Sequence, residues 1–224
     1  MPRQIVAAAF VSLDGVMQAP GGPDEDTTGS FDQGGWLFKI WDTGIEETLG
    51  SLFSDDYDLL LGRRTYDIFA AYWPYAEGDN KPMSEAFDRA NKYVLTRGDQ
   101  PLEWQNSHRL KGLEDVAALK KGEGPKIIIQ GSSTIYPGLF EAGLIDELTL
   151  MVFPVTLGRG KRLFGEGTPV DLLEMTDHRV TDKGAVIATY KPGGLLPPYP
   201  PDAPIPATSD REIERRRKME AGTW

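Results

Sequence analysis

KIIIQGSSTIYPGLFEAGLIDELTLMVFPVTLGRGKRLF, residues 126–164, contains two strand-like runs on either side of a helix-like segment. The run 126–130 is rich in β-branched residues, which is typical of a strand buried on both faces. A Gly-Ser-Ser-Thr turn follows, then apolar residues at helical spacing, and Gly143 stands where helices commonly end. Residues 148–155 are again strand-like. Such a strand–turn–helix unit can bind an anion at the helix start, although the same pattern fits a unit without a ligand.

Three other strand-like runs, residues 5–11, 58–61 and 93–95, also end in polar residues. Helical patterns separate these runs, which predicts an α/β fold with a mostly parallel sheet and helices on both faces. Ligands bind such sheets at the carboxyl ends of the strands. The polar or turn residues just after the predicted strands are Asp14, Gly62, Arg63, Arg64, Thr65, Thr96, Arg97 and Gly131. For the two arginines of the 62–65 turn, a solvated charged turn is the alternative.

Residues 18–35 are rich in glycine, proline and aspartate, and they predict a long loop. We expect a mobile flap over a ligand site, and a disordered insertion is the alternative. Apolar residues at helical spacing over 37–53 predict one long amphipathic helix. Shorter helices are expected over 82–90 and 112–121. Two strand-like runs, 170–180 and 185–190, flank an Asp-Lys-Gly turn and predict a C-terminal antiparallel hairpin.

Composition excludes several kinds of site. The 224-residue chain has a net charge of −10, whereas a protein that tracks nucleic-acid phosphates needs a basic face. It contains no cysteine, which excludes disulfides, thiolate zinc sites and cysteine nucleophiles. With only two histidines, we expect no metal site. The apolar residues 5–13 imitate a signal peptide only faintly, so we expect a cytoplasmic protein without a membrane segment.

Five passages follow one another along the chain: VSLDG (11–15), LLLGRRTYDIF (59–69), YVLTRG (93–98), IIIQGSSTIYPGLFEAGLIDEL (127–148) and PVTLGRGKRLF (154–164). Through these passages the chain resembles the dihydrofolate reductase superfamily. More closely, it resembles stand-alone bacterial proteins similar to the reductase half of the riboflavin-biosynthesis deaminase-reductase. This resemblance implies a three-layer sandwich, NADPH as cofactor, a homodimer, and hydride transfer to a small heterocycle such as a pterin or a pyrimidine. The riboflavin enzyme itself reduces a phosphorylated ribosyl-pyrimidine.

The resemblance also implies roles for individual residues. The turn 62–65 would meet the cofactor phosphates, with Arg63 on the 2′-phosphate and Thr65 on the pyrophosphate. Thr96 and Arg97 would form the second 2′-phosphate contact. The turn after the 126–130 strand would receive the pyrophosphate through Gly131, Ser132, Ser133 and Thr134. Dihydrofolate reductases carry a glycine pair where this chain has Gly131-Ser132, and a serine adopts glycine conformations less readily.

The acid that would assist hydride transfer is ambiguous. Dihydrofolate reductases carry it on the helix after the first strand, which corresponds to Glu46 or Glu47, and a solvated helix face is the alternative there. Asp14 is the other candidate for this acid. The alternative interpretation of Asp14 is an aspartate that only forms the turn before Gly15. Two functions therefore stay open: an NADPH-dependent reductase, or a ligand- or nucleotide-binding protein on the same fold without turnover.

The C-terminal part predicts a separate appendage, which divides the chain into a reductase-like domain (1–194) and a tail (195–224). Residues 192–206 are proline-rich and predict an extended linker. Ser209 and Glu212 form a capping-box pattern that begins a short charged helix ending at Gly222. With only Ile213, Met219 and Trp224 as apolar residues, this helix has no core of its own. It either docks on the body or a partner subunit, or is disordered.

Overall fold

The structure is a computed structural model, and it describes residues 2–203 and 208–223. The chain divides into two compact units, Met1–Gly194 and Leu195–Trp224. Within the described residues, no helix is both long enough and apolar enough to span a membrane.

The first unit is built on one eight-stranded sheet. Its strands are β1 (Ile5–Ser12), β2 (Tyr57–Gly62), β3 (Lys92–Leu95), β4 (Ser107–Leu110), β5 (Lys126–Gln130), β6 (Glu147–Phe153), β7 (Leu172–Val180) and β8 (Val186–Gly194). Its helices are α1 (Trp36–Lys39), α2 (Thr43–Leu52), α3 (Arg63–Tyr72), α4 (Lys81–Arg89), α5 (Leu113–Lys121) and α6 (Tyr136–Glu141).

The strand order is β4-β3-β2-β5-β1-β6-β8-β7. The first six strands pair in parallel, and β8 joins β6 in antiparallel register. The predicted hairpin is confirmed as the antiparallel pair β7–β8. The mostly parallel sheet with a C-terminal hairpin is therefore confirmed.

Helices cover both faces of this sheet, as predicted. Along β5, Ile127 and Ile129 face the core formed with α5 and α6, whereas Ile128 faces the core formed with α3 and α4. Along β1, Ala8 belongs to a third cluster, which packs against α1 and α2. Because successive side chains of a strand point to opposite faces, a continuous apolar strand serves two cores at once. The result is a three-layer sandwich.

The prediction of one long helix over residues 37–53 is wrong. The segment forms α1 and α2, separated at residues 40–42. Asp42 is extended (φ −131°, ψ 127°), and its carboxylate accepts hydrogen bonds from the backbone N–H groups of Gly44 and Lys183 at 3.0 and 2.9 Å. The carboxylate thus caps α2 and holds the hairpin turn, which interrupts the helix. The amphipathic pattern continues across the break because both helices pack on the same core.

The edge strand β4 is absent from the sequence predictions. Its residues, Ser-His-Arg-Leu, are mostly polar, and it pairs with β3 along one edge only. A short edge strand needs little apolar periodicity, so its sequence carries a weak signal.

The second unit contains the predicted charged helix, α7 (Asp210–Glu220). The Ser209 hydroxyl accepts the Glu212 N–H at 3.2 Å, and Gly222 has a φ of +65° beyond the helix end. Glu212 also pairs with Arg216, one turn later in the helix, at 2.9 Å. Pro204, Pro206 and Trp224 lie outside the described residues, and docking of the tail stays a prediction.

Candidate functional site

A cavity of about 460 Å³ opens at the carboxyl edge of the parallel strands. The turns after β2 and β5 line one part of it. Aromatic and aliphatic side chains from α1 to α4 line another part, and the 18–35 loop contributes a third. This arrangement places polar backbone groups next to flat apolar surfaces. The predicted site residues among its lining are Gly62, Arg64, Thr65, Gly131, Ser132, Ser133 and Thr134.

The turn after β2 leads directly into α3. Gly62 is the N-cap residue of this helix, and none of the described side chains caps its first turn. The backbone N–H groups at this end of α3 therefore have no partner within the helix and carry the positive end of its dipole. Since Arg64 and Thr65 lie in this first turn and line the cavity, the helix start is suited to an anionic group.

The turn after β5 touches the turn after β2. Gly131 has a φ of +70°, and a Cβ placed there would lie 3.0 Å from Thr65 Cγ2. Ser132 is also left-handed (φ +65°), and its Oγ accepts the Gly62 N–H at 2.9 Å. The departure from a glycine pair is thus accommodated, because a hydrogen bond between the two turns accompanies the unfavourable φ of the serine.

The other predicted phosphate contacts lie beside the cavity rather than in its lining. Arg63 donates from Nε to Asp67 at 2.9 Å and from Nη1 to the Gln100 carbonyl at 2.9 Å. Thr96 follows β3, and its Oγ1 accepts the Gly98 N–H at 3.1 Å. Arg97 is exposed. Since β3 and β2 are neighbours in the sheet, all three residues belong to the same carboxyl edge as the cavity.

Asp14 does not line the cavity. Its carboxylate accepts hydrogen bonds from Ser12 Oγ at 2.6 Å and from the N–H groups of Leu157 and Gly158 at 3.0 and 2.9 Å. Arg162 lies 3.6 Å away. The Ser12 hydroxyl, followed by the Leu157 and Gly158 N–H groups, lowers the pKa of Asp14 to about 2. A carboxylate held in this way is suited to fixing a turn, and its catalytic role stays a prediction.

Glu46 does not line the cavity either. It lies in the first turn of α2 and accepts the Trp41 indole N–H at 2.9 Å. Trp41 itself lines the cavity, so the glutamate contacts the site only through that ring. A catalytic role for Glu46 stays a prediction. Across the described residues, no cluster of three or more acidic or histidine side chains is arranged to hold a metal ion.

The sequence reasoning gave no role to the other polar lining residues, which are Gln18, Glu25, Asp26, Asp79, Asn80, Gln130 and Lys161. Glu25 and Asp26 belong to the 18–35 loop, whose Pro-Asp-Glu-Asp run was interpreted only as part of a flap. Lys161 Nζ forms an ion pair with Asp26 and lies 2.6 Å from Thr28 Oγ1. Burial opposes ionisation of Asp26, but the Lys161 and Thr28 hydrogen bonds outweigh it and lower its pKa. This contact joins the loop to the segment after β6, whereas the mobility of the loop stays a prediction.

Known proteins share this fold. The structure is similar to a protein assigned provisionally to riboflavin biosynthesis from Shewanella sp. PV-4, with a TM-score of 0.59, 24% identity, and coverage of 86% of this chain and 99% of that one. It is also similar to dihydrofolate reductase from Enterococcus faecalis, solved with NADP(H), with a TM-score of 0.54, 18% identity, and coverage of 85% and 96%. The superfamily fold expected from the sequence is therefore confirmed.

Sequence comparison agrees with the fold. The uncharacterized protein YyaP of Bacillus subtilis is 27% identical over 191 residues, covering 84% of this chain and 94% of YyaP. The uncharacterized protein YwjB of the same organism is 30% identical over 176 residues, covering 75% of this chain and 86% of YwjB. The model of the RibD C-terminal domain family matches residues 3–187. The chain therefore belongs to the RibD C-terminal domain family.

Proposed function

We propose that this protein is an NADPH-dependent reductase that transfers a hydride to a small planar heterocycle. The observation that carries the proposal is the shared cavity, in which the turns after β2 and β5 adjoin a wall of aromatic side chains. The turns suit phosphates, and the aromatic wall suits a flat conjugated ring. A reductase of this kind needs both groups held close together.

The residues of the two turns fit a dinucleotide. The start of α3 has no side-chain cap among the described residues, and the missing side chain of Gly131 lets the turn after β5 pack directly against Thr65 of the turn after β2. The pyrophosphate would meet the residues 62–65 and 131–134. The 2′-phosphate would meet Arg63, with Thr96 and Arg97 beyond it on the same edge, since guanidinium groups pair well with phosphate. When bound, NADPH supplies the hydride.

The aromatic wall supports the choice of a planar substrate. Phe38 and Trp41 stack with ring centroids 5.5 Å apart, and Phe69 and Phe87 stack at 5.8 Å. All four residues line the cavity, and Phe38 is 64% exposed. An exposed large aromatic ring at the mouth of an apolar cavity gains contact area when a flat ligand covers it. The side chains would therefore orient the ring and exclude water around it.

Replacing Arg63 with alanine tests the assignment of the cofactor. We expect the affinity for NADPH to fall by about tenfold, while the affinity for NADH changes little, because only NADPH carries the 2′-phosphate. Isothermal titration calorimetry with both dinucleotides measures the two affinities. The matched control is Arg89→Ala, which removes an exposed arginine in the last turn of α4. Equal losses for both dinucleotides, or no binding of either one, would contradict the proposal.

One observation favours a second candidate, a binding protein that holds the same ligands without turnover. Neither Asp14 nor Glu46, the two predicted acids, lines the cavity. The candidates differ in one measurement. A reductase oxidises NADPH, so the absorbance of NADPH falls when the protein is incubated with pterins, pyrimidines, flavins or quinones. A binding protein binds NADPH but leaves its absorbance unchanged.

A further inference from the structure

Glu25 places a carboxylate in the wall of the cavity. One of its oxygens, Oε2, accepts hydrogen bonds from the N–H groups of Gly21 and Gly22 at 2.6 and 3.1 Å. These bonds hold the side chain against its own loop. No described residue hydrogen-bonds the other oxygen, Oε1, although the side chain is partly buried and lines the cavity. A carboxylate oxygen in this position can accept a hydrogen bond from a ligand.

A second polar group in the wall also lacks a protein partner. Gln130 is the last residue of β5, and its Oε1 is buried without a hydrogen bond to any described residue. Buried amide oxygens are nearly always hydrogen-bonded in folded proteins, because an unsatisfied one has lost its hydration without gaining a partner. The Gln130 oxygen has almost no accessible surface, so the Glu25 carboxylate is the acceptor that a ligand N–H group in the cavity can reach.

The environment of Glu25 makes such a donor favourable. Burial raises the pKa of Glu25, the Gly21 and Gly22 N–H groups lower it, and the charge of Asp26 raises it again. The raised pKa means that the carboxylate is less well solvated in the cavity than in water. A ligand donor would restore part of that lost solvation, so its hydrogen bond is worth more here than at the protein surface.

Away from the turns 62–65 and 131–134, the charges of the cavity disfavour a phosphate on the heterocyclic ligand. Three carboxylates line it, those of Glu25, Asp26 and Asp79. Among the described lining residues the cations are Arg64 and Lys161, and both face Asp26: Arg64 Nη1 lies 3.7 Å from its carboxylate, and Lys161 pairs with it directly. The Asp26 side chain is only 8% exposed, so this carboxylate is largely shielded from solvent, whereas the Arg64 side chain is 53% exposed. A substrate phosphate would have to compete with a buried carboxylate for either cation.

We propose that the cavity selects an unphosphorylated planar heterocycle with an N–H donor on its edge, and that Glu25 Oε1 accepts this donor. The inference rests on the proposed function, because it names the substrate class of the same cavity. It separates this protein from reductases of phosphorylated ribosyl-pyrimidines. Glu25 is thereby a specificity-determining residue.

A pair of probes isolates the donor. 2-Aminoquinazoline and 2-methylquinazoline are planar and similar in shape, but only the amino compound carries N–H donors. We expect the wild-type protein to bind the amino compound about tenfold more tightly, which is the usual scale for a hydrogen bond to a charged group. Calorimetric titration without dinucleotide measures both affinities. If the wild-type protein shows no preference for the amino compound, including the case in which neither compound binds, the proposal is overturned.

Glu25→Gln then assigns the preference to this side chain. Glutamine retains a carbonyl oxygen for Gly21 and Gly22, so the loop contacts survive while the side-chain amide turns a donor towards the cavity. We expect the preference for the amino compound to disappear, with the affinity for the methyl compound nearly unchanged. Asp24→Asn is the matched control, since it removes one charge from an exposed position of the same loop and should leave the preference intact. Equal weakening of both compounds by Glu25→Gln would mean a structural role only and would overturn the assignment.

A competition experiment tests the exclusion of phosphate. In the presence of excess NADP⁺, which occupies the turns 62–65 and 131–134 under the proposed function, cytidine and cytidine 5′-monophosphate are each used to displace 2-aminoquinazoline. We expect the nucleotide to displace it at least about tenfold more weakly because of the carboxylates. Stronger displacement by the nucleotide would overturn this part of the proposal. The outcomes also separate the two proposals. If the protein prefers the amino compound but does not bind NADPH, only the cofactor assignment is refuted. If the protein turns over NADPH but Glu25→Gln does not change the preference, only the present inference is refuted.

Discussion

Asp14 shows how a single carboxylate can hold distant segments together. It lies just after β1, yet two of its hydrogen bonds come from the backbone of Leu157 and Gly158, more than a hundred residues later in the chain. The Ser12 hydroxyl and these N–H groups lower its pKa to about 2. The folded protein therefore binds the Asp14 proton more weakly than the unfolded chain does, and this difference stabilises the fold above the unfolded pKa of about 4.

Replacing Asp14 with asparagine should therefore lower stability in a pH-dependent way. At neutral pH we expect a loss of about 1 kcal/mol, a reduced value because the carboxylate is in partial contact with solvent. The difference from wild type should shrink as pH falls from about 4 towards about 2, where Asp14 becomes protonated in the folded protein as well. Urea unfolding at several pH values measures it. Asp182→Asn, at an exposed turn position, is the control; a loss independent of pH would contradict the ionic explanation.

Among the elements, the turns after β2 and β5 depend on each other. Ser132 accepts the Gly62 N–H, and Gly131 leaves space that Thr65 fills. The turn after β5 supplies the hydroxyl and the turn after β2 supplies the N–H group, so each turn stabilises the conformation of the other. Because these contacts join the ends of two neighbouring strands, a change in one turn moves the binding surface of the other.

Gly131→Ala tests this coupling. The new Cβ would combine a left-handed φ of +70° with a 3.0 Å approach to Thr65 Cγ2. We expect a loss of stability of about 2 kcal/mol or more, together with weaker NADPH binding, because Thr65 must move. Urea unfolding and calorimetry measure the two effects. Gly143→Ala is the matched control: its φ is +61°, but its Cβ would meet open space, so only the strain of about 1–2 kcal/mol is expected, with binding unchanged. Equal effects of the two variants on binding would show that the turns are not coupled.

On the scale of the whole molecule, the order of the strands assembles the site. β5 lies between β2 and β1, so the turn after β5 meets the turn after β2 although about seventy residues separate Gly62 from Ser132. β3 lies on the other side of β2 and brings Thr96 and Arg97 to the same edge. The homodimer and the docking of the tail, by contrast, stay predictions.

Ending the chain after Gly194 tests the predicted docking. An isolated helix of 11 residues is marginal in water, so we expect α7 to derive stability from packing. Truncation should then lower the melting temperature by about 2–4 °C, which corresponds to about 1 kcal/mol for a domain of this size. Replacing both Ile213 and Met219 with alanine in the full chain retains the charged helix and should give a similar loss. An unchanged melting temperature and particle size after truncation would refute docking.

The sequence by itself determined every strand except β4, together with the hairpin and the polar turns at the strand ends. Residues 126–130, for example, form one unbroken apolar run rich in β-branched side chains. The burial of such a run can be predicted without knowing which strands lie beside it. The family resemblance likewise depended on short contiguous passages. The charged helix α7 could likewise be predicted from local sequence, because Ser209 and Glu212 meet within one turn.

Only the tertiary structure decided which of these local features share a cavity. Glu25 and Lys161 carry no periodic signal, and Lys161 reaches Asp26 across 135 residues of chain. The same holds for Asp42, whose contact with Lys183 in the β7–β8 turn divides a helix that the apolar pattern predicts to be continuous. Contacts of this kind depend on how the sheet orders its strands, and strand order is set by packing between distant segments rather than by neighbouring residues.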